Sequence, residues 1–385
     1  MKHPLRSVPR RLGGTRSAAT PPAVCDDLAA WSATWPGAAR VVLDPATRAE
    51  RPLPRAVGAE VDPSFADLIS FPVPERALVS VPRGRLYGAP RSRVTLTVLP
   101  DGSFVGETVA LTPAGRHSML ASEPASLRPA PPTEHHDGDH YAMLGFGVGH
   151  YYHWGHDLVM GARGIADHLP PGTRLIVPTG LRPFQEEMLS LLGLERHPQV
   201  AFPDGASWEL ERLHVVTPRL KTQIDTPDAF RWFRDAAFAR FGASRTPTPE
   251  PPARRLLLSR RHDGHWRTVN EAEVEAVLAP LGFETVAPGR LTFAEQIARF
   301  ADADVVIGTG AGLFNTVFSP AGCRILQFQE PRHIVHALWT AATACHHDYR
   351  YLLCESVSNP EAGDADLRVP IDSLLEALAE MGLTT

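Results

Sequence analysis

From Arg255 onward, short apolar runs alternate with amphipathic segments, and this alternation is what most restricts the folds open to the chain. Arg255-Leu256-Leu257-Leu258, Phe283-Glu284-Thr285-Val286, Val305-Val306-Ile307 and Arg324-Ile325-Leu326-Gln327-Phe328 have the length and composition of buried strands. Between the first two, Val274, Val277, Leu278 and Leu281 recur at helical spacing behind Asn270 as N-cap and Glu273 three residues on. Pro280 and Gly282 stop that helix. Thr292-Phe293-Ala294-Glu295 is a capping box that opens the next one, with Phe293, Ile297 and Phe300 inward. Alternation of this kind implies right-handed crossovers and a parallel α/β sheet, whose ligands bind at the carboxyl ends of the strands.

A proline-rich stretch, Thr246-Pro247-Thr248-Pro249-Glu250-Pro251-Pro252, separates this part from the rest, since its prolines cannot continue a helix. Upstream, Arg93 to Val98 leads through Pro100-Asp101-Gly102 into Ser103 to Leu111, which reads as a β-hairpin. Arg174 to Pro178 and Leu213 to Val216 read as strands, and Phe184 to Leu192 and Asp228 to Phe241 as helices. The chain's 385 residues, 43% of them hydrophobic, suffice for two cores and therefore for a cleft between them. The expected order is a poorly ordered arm over 1–54, an α/β domain over 55–245 and the linker over 246–252. A second α/β domain then covers 253–355, and a tail with a helix covers 356–385.

A net charge of -5 provides no field for a nucleic-acid backbone, so nucleic acid is excluded as a partner. Cys25, Cys323, Cys345 and Cys354 form no C-x-x-C pair and no disulfide framework, which fits a reducing compartment. No apolar stretch reaches the ~20 residues of a membrane helix, and the Arg- and Pro-rich start lacks an apolar signal core. The expectation is a soluble cytoplasmic protein. Lys2, Arg6, Arg10, Arg11 and Arg16 read as a solvated tail, with peripheral contact at the inner face of the cell membrane as the alternative.

Two constellations can carry chemistry. Arg260-Arg261 and Gly308-Thr309-Gly310-Ala311-Gly312 follow strands, so the topology brings them to one edge. Glycines admit close approach of a phosphate, the following helix start presents N–H groups, and an arginine fork supplies charge for a diphosphate. The bland alternative is a tight turn beside surface arginines. In Tyr151-Tyr152-His153-Trp154-Gly155-His156-Asp157, His153 and Asp157 are four apart and share a helix face, so they can meet as an orienting pair for proton removal. A helix-capping role for both is the alternative. A metal reading of His135, His136, Asp137, Asp139, His140, His150, His153, His156 and Asp157 lacks any accepted ligand spacing, and the first five lie in a segment that reads as a solvated loop.

From about Tyr87 to Leu353 the chain resembles the family 61 glycosyltransferases, whose bacterial members are often described as capsular polysaccharide biosynthesis proteins. The residues that carry this are Tyr151-Tyr152-His153-Trp154 with Asp157, Ser259-Arg260-Arg261 with Arg267 and Asn270-Glu271, and Gly282-Phe283. Further along, Gln296 with Phe300 and Ala301, and Gly310-Ala311-Gly312-Leu313 with Asn315 and Phe318, complete the set. The resemblance implies a GT-B-like fold, two Rossmann-like domains facing across a cleft. It implies an inverting transfer from a nucleotide-sugar, typically a UDP-sugar, to a glycan hydroxyl, the acceptor being soluble or lipid-linked. No obligatory metal or other cofactor is implied. By position, Arg260, Arg261, Arg267, Asn270, Glu271 and the turn Gly308, Thr309, Gly310, Ala311, Gly312 and Asn315 would hold the donor, with Glu330 nearby. His153 or Asp157 would be catalytic, with Tyr152, Trp154 and His156 on the acceptor side. Family members commonly have His where this chain has Thr309 and Glu where it has Gln327. A non-catalytic nucleotide- or glycan-binding protein, or a sugar-nucleotide epimerase or hydrolase, are the other readings of the same residues.

Overall fold

A computed structural model describes residues 23–88, 95–108, 131–145, 147–217, 226–242, 254–263, 266–357 and 365–383. The expected linker 246–252 and the arginines of the first 22 residues lie outside the described residues. Two sheets dominate. The first contains β1 (Val24–Cys25), β2 (Ala39–Asp44), β6 (Arg76–Gly88), β7 (Thr95–Val98), β8 (Phe104–Val105), β9 (Glu134–Ala142), β10 (Arg174–Pro178), β11 (Gln199–Phe202) and β12 (Ser207–Thr217). Its order is β1-β8-β7-β6-β12-β9-β10-β11, with β2 paired to β6. The run β12-β9-β10-β11 is parallel, whereas β6 pairs antiparallel with β12.

The second sheet is parallel throughout, in the order β14 (Phe283–Val286), β13 (Arg254–Leu258), β15 (Ala303–Gly308), β16 (Arg324–Gln329), β17 (Asp348–Leu353) and β4 (Arg55–Ala56). Its strands β13 to β16 are those that the apolar alternation predicts; β17 and β4 extend the sheet beyond them. Two short antiparallel pairs, β3 (Thr47–Glu50) with β5 (Ser70–Val73) and β18 (Glu355–Ser356) with β19 (Leu367–Arg368), lie beside them. The hairpin at residue 100 is present, with Val98 opposite Phe104 and Asp101 accepting from the Ser103 N–H at 2.8 Å. The capping box at Thr292 and Glu295 forms as expected. No helix of the described residues is long and apolar enough to cross a membrane.

Several expectations fail, each for a local reason. The arm assigned to 1–54 is structured from residue 24, where β1, the helix Leu28–Thr34, β2 and β3 follow one another. The run Arg40-Val41-Val42-Leu43 pairs with β6, and Asp27 caps the helix by accepting from the Ala30 N–H at 2.8 Å. Flanking prolines and arginines hide these short elements. The polar segment that reads as a solvated loop is β9, held between β12 and β10 by ladder hydrogen bonds that no side-chain pattern reveals. The boundary at 55 is also misplaced, because β4 pairs with β17 and Phe65 packs on Trp339 and Tyr351, at 5.1 and 5.3 Å between ring centroids. At the other end, Leu374, Ala377 and Leu378 of the helix Ile371–Glu380 share an apolar cluster with Leu257, Val305 and Leu326, so the tail covers a face of the second sheet.

The two sheets also share a core. One apolar cluster runs from Tyr141, Trp154 and Phe230 on the first side to Leu256, Phe293, Phe314 and Ile325 on the second. Phe314, in the short 3-10 helix Ala311–Phe318 that follows the glycine turn, is the common neighbour: Tyr152 lies 5.2 Å from it, Phe233 5.5 Å, and His156 and Phe230 6.3 and 6.4 Å. Offset and edge-to-face contacts of this kind add to the burial of each ring. We expect Phe314→Ala to lower unfolding stability by about 3–5 kcal/mol, read by denaturant titration. A loss below about 1 kcal/mol would show that the cluster is not what joins the halves.

Candidate functional site

The carboxyl ends of the parallel strands of both sheets open onto one cleft of about 1390 Å³. Pro178 ends β10 with Thr179 after it, and Phe202 ends β11 with Pro203 and Asp204 after it. From the other side come Ser259 and Arg260 after β13, Ala287 to Arg290 after β14, and Thr309, Ala311 and Gly312 after β15. Strand ends are where peptide groups point outward unpaired, so a ligand between two such edges is met by polar groups from both.

His153 lines this cleft and Asp157 lies beneath it, 6% exposed. The two stand where a short helical turn, Tyr151–His153, continues as a π-helix, Trp154–Met160, a local widening frequent at functional sites. Asp157 Oδ2 is 2.8 Å from His153 Nδ1, and its Oδ1 is 2.7 Å from His156 Nδ1. Burial acts to raise the Asp157 carboxyl, but the hydrogen bonds from His153 and then His156 outweigh it and hold the group below the usual aspartate range. An ionised carboxylate only accepts, so Nδ1 of His153 carries a proton, and in the neutral imidazole Nε2 is the nitrogen with the lone pair. Gly147, at φ +66, fixes the ring from the other side: a Cβ there would stand 2.7 Å from His153 Cδ2.

The residues placed on the acceptor side by the sequence turn inward instead. Trp154 and His156 are fully buried and Tyr152 is 4% exposed, because their helix faces the Phe314 cluster. Trp154 donates its indole N–H to the Gln185 carbonyl at 3.1 Å, and Tyr152 stacks on His156 at 4.8 Å. Tyr151 is the aromatic neighbour that reaches the cleft wall. Its hydroxyl donates to Asn315 Oδ1 at 2.6 Å, and Asn315 Nδ2 donates to Gln296 Oε1 at 2.6 Å. Asn315 is fully buried and joins the two halves rather than lining the cleft.

The expected donor residues divide sharply. Arg260 lines the cleft, with Nε donating to Asp263 at 2.8 Å and its guanidinium lying over Gly310. Gly310 has φ +79, and a Cβ there would overlap that guanidinium, so only glycine admits both the turn and the arginine. Gly308 packs on Leu258, while Thr309, Ala311 and Gly312 form the wall. Arg261, by contrast, donates to Glu271 at 2.8 Å and to Glu275 at 2.6 Å, and these bonds raise its pKa. Glu271, 5% exposed, also accepts from the Ser259 hydroxyl at 2.6 Å and so anchors the turn that presents Arg260.

Arg267 donates to Asp366 at 2.6 Å. Asn270 caps no N–H of its own helix; it brackets Val369, accepting from the N–H and donating to the carbonyl, each at 2.9 Å. Both residues fasten the C-terminal segment, a role invisible in sequence because the partners lie 99 positions away. Glu330, 3% exposed, accepts from the Arg332 N–H at 2.8 Å in the turn after β16 and stands outside the cleft wall. Gln327 is buried in the sheet, accepting from the Tyr349 hydroxyl at 2.8 Å, whereas Thr309 faces the cleft. Of the two departures from the resembling family, only that at Thr309 therefore touches a ligand space. Among the described residues no group of three or more His, Cys, Asp or Glu side chains is arranged to hold a metal ion. Arg182 and Arg290 also line the cleft and were not singled out in the sequence; the signal for Arg290 is its Pro-Gly-Arg turn directly after a strand.

Removing the bracket on Val369 leaves a buried N–H and carbonyl unpaired, so Asn270→Ala is expected to destabilise the fold by roughly 1–3 kcal/mol in denaturant titration. Nucleotide affinity of that variant should stay at the wild-type value. A variant of unchanged stability that binds nucleotide poorly would return Asn270 to the ligand site.

No curated protein matches the chain. The model of the family described as Glycosyltransferase 61 matches residues 151–326, a span that begins at Tyr151 beside His153, takes in Arg260 and the glycine turn, and ends in β16. This span, which supplies the His–Asp pair and the glycine-turn wall of the cleft, is thus similar to glycosyltransferase family 61.

Proposed function

We propose that this protein is an inverting glycosyltransferase that moves a sugar from a nucleoside diphosphate donor, typically a UDP-sugar, to a hydroxyl of a glycan in surface polysaccharide assembly. The observation that carries the reading is that His153, backed by buried Asp157, and Arg260, held over the glycine turn, open into the same cleft from opposite sheets. Strand ends facing across a cleft are also what a GT-B-like arrangement requires.

The reaction follows from these positions. Nε2 of His153 accepts the proton of the acceptor hydroxyl as its oxygen forms a bond to the anomeric carbon. The bond from that carbon to the phosphate oxygen breaks on the opposite face, which inverts the centre. Asp157 holds the imidazole in the required tautomer and stabilises the imidazolium that forms. Arg260 and the turn from Thr309 to Gly312 offset the charge growing on the departing diphosphate, and a dry cleft strengthens that interaction. The acceptor enters from the β9–β11 side, where Thr179, Phe202 and Asp204 form the wall. Thr309 lies in the cleft wall, so the donor is met there by a small hydroxyl.

Two experiments test this. Thermal shift with UDP, GDP, CMP and dTDP, without added metal, should give selective stabilisation by one nucleotide, lost in Arg260→Ala; no shift with any of them would overturn the donor assignment. His153→Gln and Asp157→Asn should keep that nucleotide affinity while turnover with donor and glycan acceptor falls on the order of 10²–10⁴. Full activity in His153→Gln would remove it as the base, and sugar release that needs no acceptor would point to hydrolysis instead.

A further inference from the structure

A diphosphate carries more negative charge than one guanidinium offsets, and two of the arginines expected to share the task are engaged elsewhere: Arg261 with Glu271 and Glu275, and Arg267 with Asp366. Three arginines line the cleft. Arg260 is shared with Asp263, and Arg182 donates Nη1 to the Gly149 carbonyl at 3.1 Å. The exposed side chain of Arg290 makes no hydrogen bond or ion pair with the described residues.

Its position is defined by the turn that bears it. Pro288–Arg290 follows β14, next to β13 in the sheet, and Pro288 lies against the glycine turn, 3.1 Å from where a Cβ of Gly312 would be. Arg260 lies over the same turn at Gly310. The glycine turn is thus flanked by Arg260 at one point and, two residues on, by the turn that carries Arg290. A long exposed side chain without an internal partner, rooted beside the glycine turn and lining the same cleft as Arg260, meets whatever anion binds there.

We propose that Arg290 is the second cation of the anion site at the glycine turn and binds the diphosphate of the nucleotide donor together with Arg260. This rests on the donor reading of the cleft given above. Arg290 contributes charge and a bidentate fork to the diphosphate, and nothing to the nucleoside.

The test is isothermal titration of wild type, Arg290→Gln, Arg290→Lys and Arg260→Ala. The ligands are the best-binding diphosphate among UDP, GDP, CDP and dTDP, its monophosphate, its nucleoside, and inorganic pyrophosphate. Arg290→Gln should weaken the nucleoside diphosphate at least about tenfold, the monophosphate less, and the nucleoside not at all; Arg290→Lys should fall between. Arg299→Gln, which alters a cation of the helix Phe293–Phe300 that pairs with Glu284 of β14, should change none of them. Unchanged diphosphate affinity in Arg290→Gln, beside its loss in Arg260→Ala, would overturn this inference and leave the donor site standing. An equal loss for the nucleoside would also overturn it. A wild-type chain that binds neither a nucleoside diphosphate nor pyrophosphate would overturn both readings.

Discussion

Phe314 sits at the point where everything else in this molecule meets. It belongs to the helix that follows the glycine turn, yet its ring is surrounded by Tyr152, His156, Phe230 and Phe233 from the other half. The same packing that joins the halves therefore sets how far the glycine turn stands from the helix that carries His153. Directly above it, the chain Tyr151–Asn315–Gln296 adds two short hydrogen bonds across the same seam. Apolar burial supplies the attraction there, and the polar bridge fixes the register, since a buried hydroxyl and amide left unpaired would be costly.

Around that seam the charges are sorted by task. Asp157, Glu271 and Asp366 are each largely buried and each holds a working or anchoring side chain in place. Asp157 orients an imidazole, Glu271 steadies the turn before Arg260, and Asp366 ties the tail to Arg267. The cleft itself retains Arg260, Arg182 and Arg290 on its walls. Close spacing in the sequence thus says little about which arginine meets the cleft: Arg260 and Arg261 are adjacent, yet Arg260 alone of the two lines it.

Four strands of the second sheet and the helices between them were legible because they obey local rules, from the apolar Leu256–Leu258 run to the capping box at Thr292. The His153–Asp157 contact was legible for the same reason, since four residues of helix bring the two together. What escaped was non-local. Asn270 looks like a helix cap, but its amide is used by Val369; Arg267 looks like a phosphate ligand, but Asp366 occupies it. The β9 segment looks solvated because its polar side chains alternate with nothing apolar until Tyr141, while its backbone is shared with two neighbours. Such pairings are decided by partners tens of residues away, and one chain read alone cannot name them.

The placement of β4 gives the chain an unusual connectivity. After β2 has joined the first sheet, the backbone crosses to add β4 at the edge of the second, then returns to build β6 and the rest of the first before Arg254 enters the second again. Cleavage between Gly242 and Arg254 would not release two independent modules, because the N-terminal fragment keeps an edge strand of the other sheet and the Phe65 contact with Trp339 and Tyr351. The fragments would remain interlaced. Any opening and closing of the cleft must therefore bend the backbone at all three crossings.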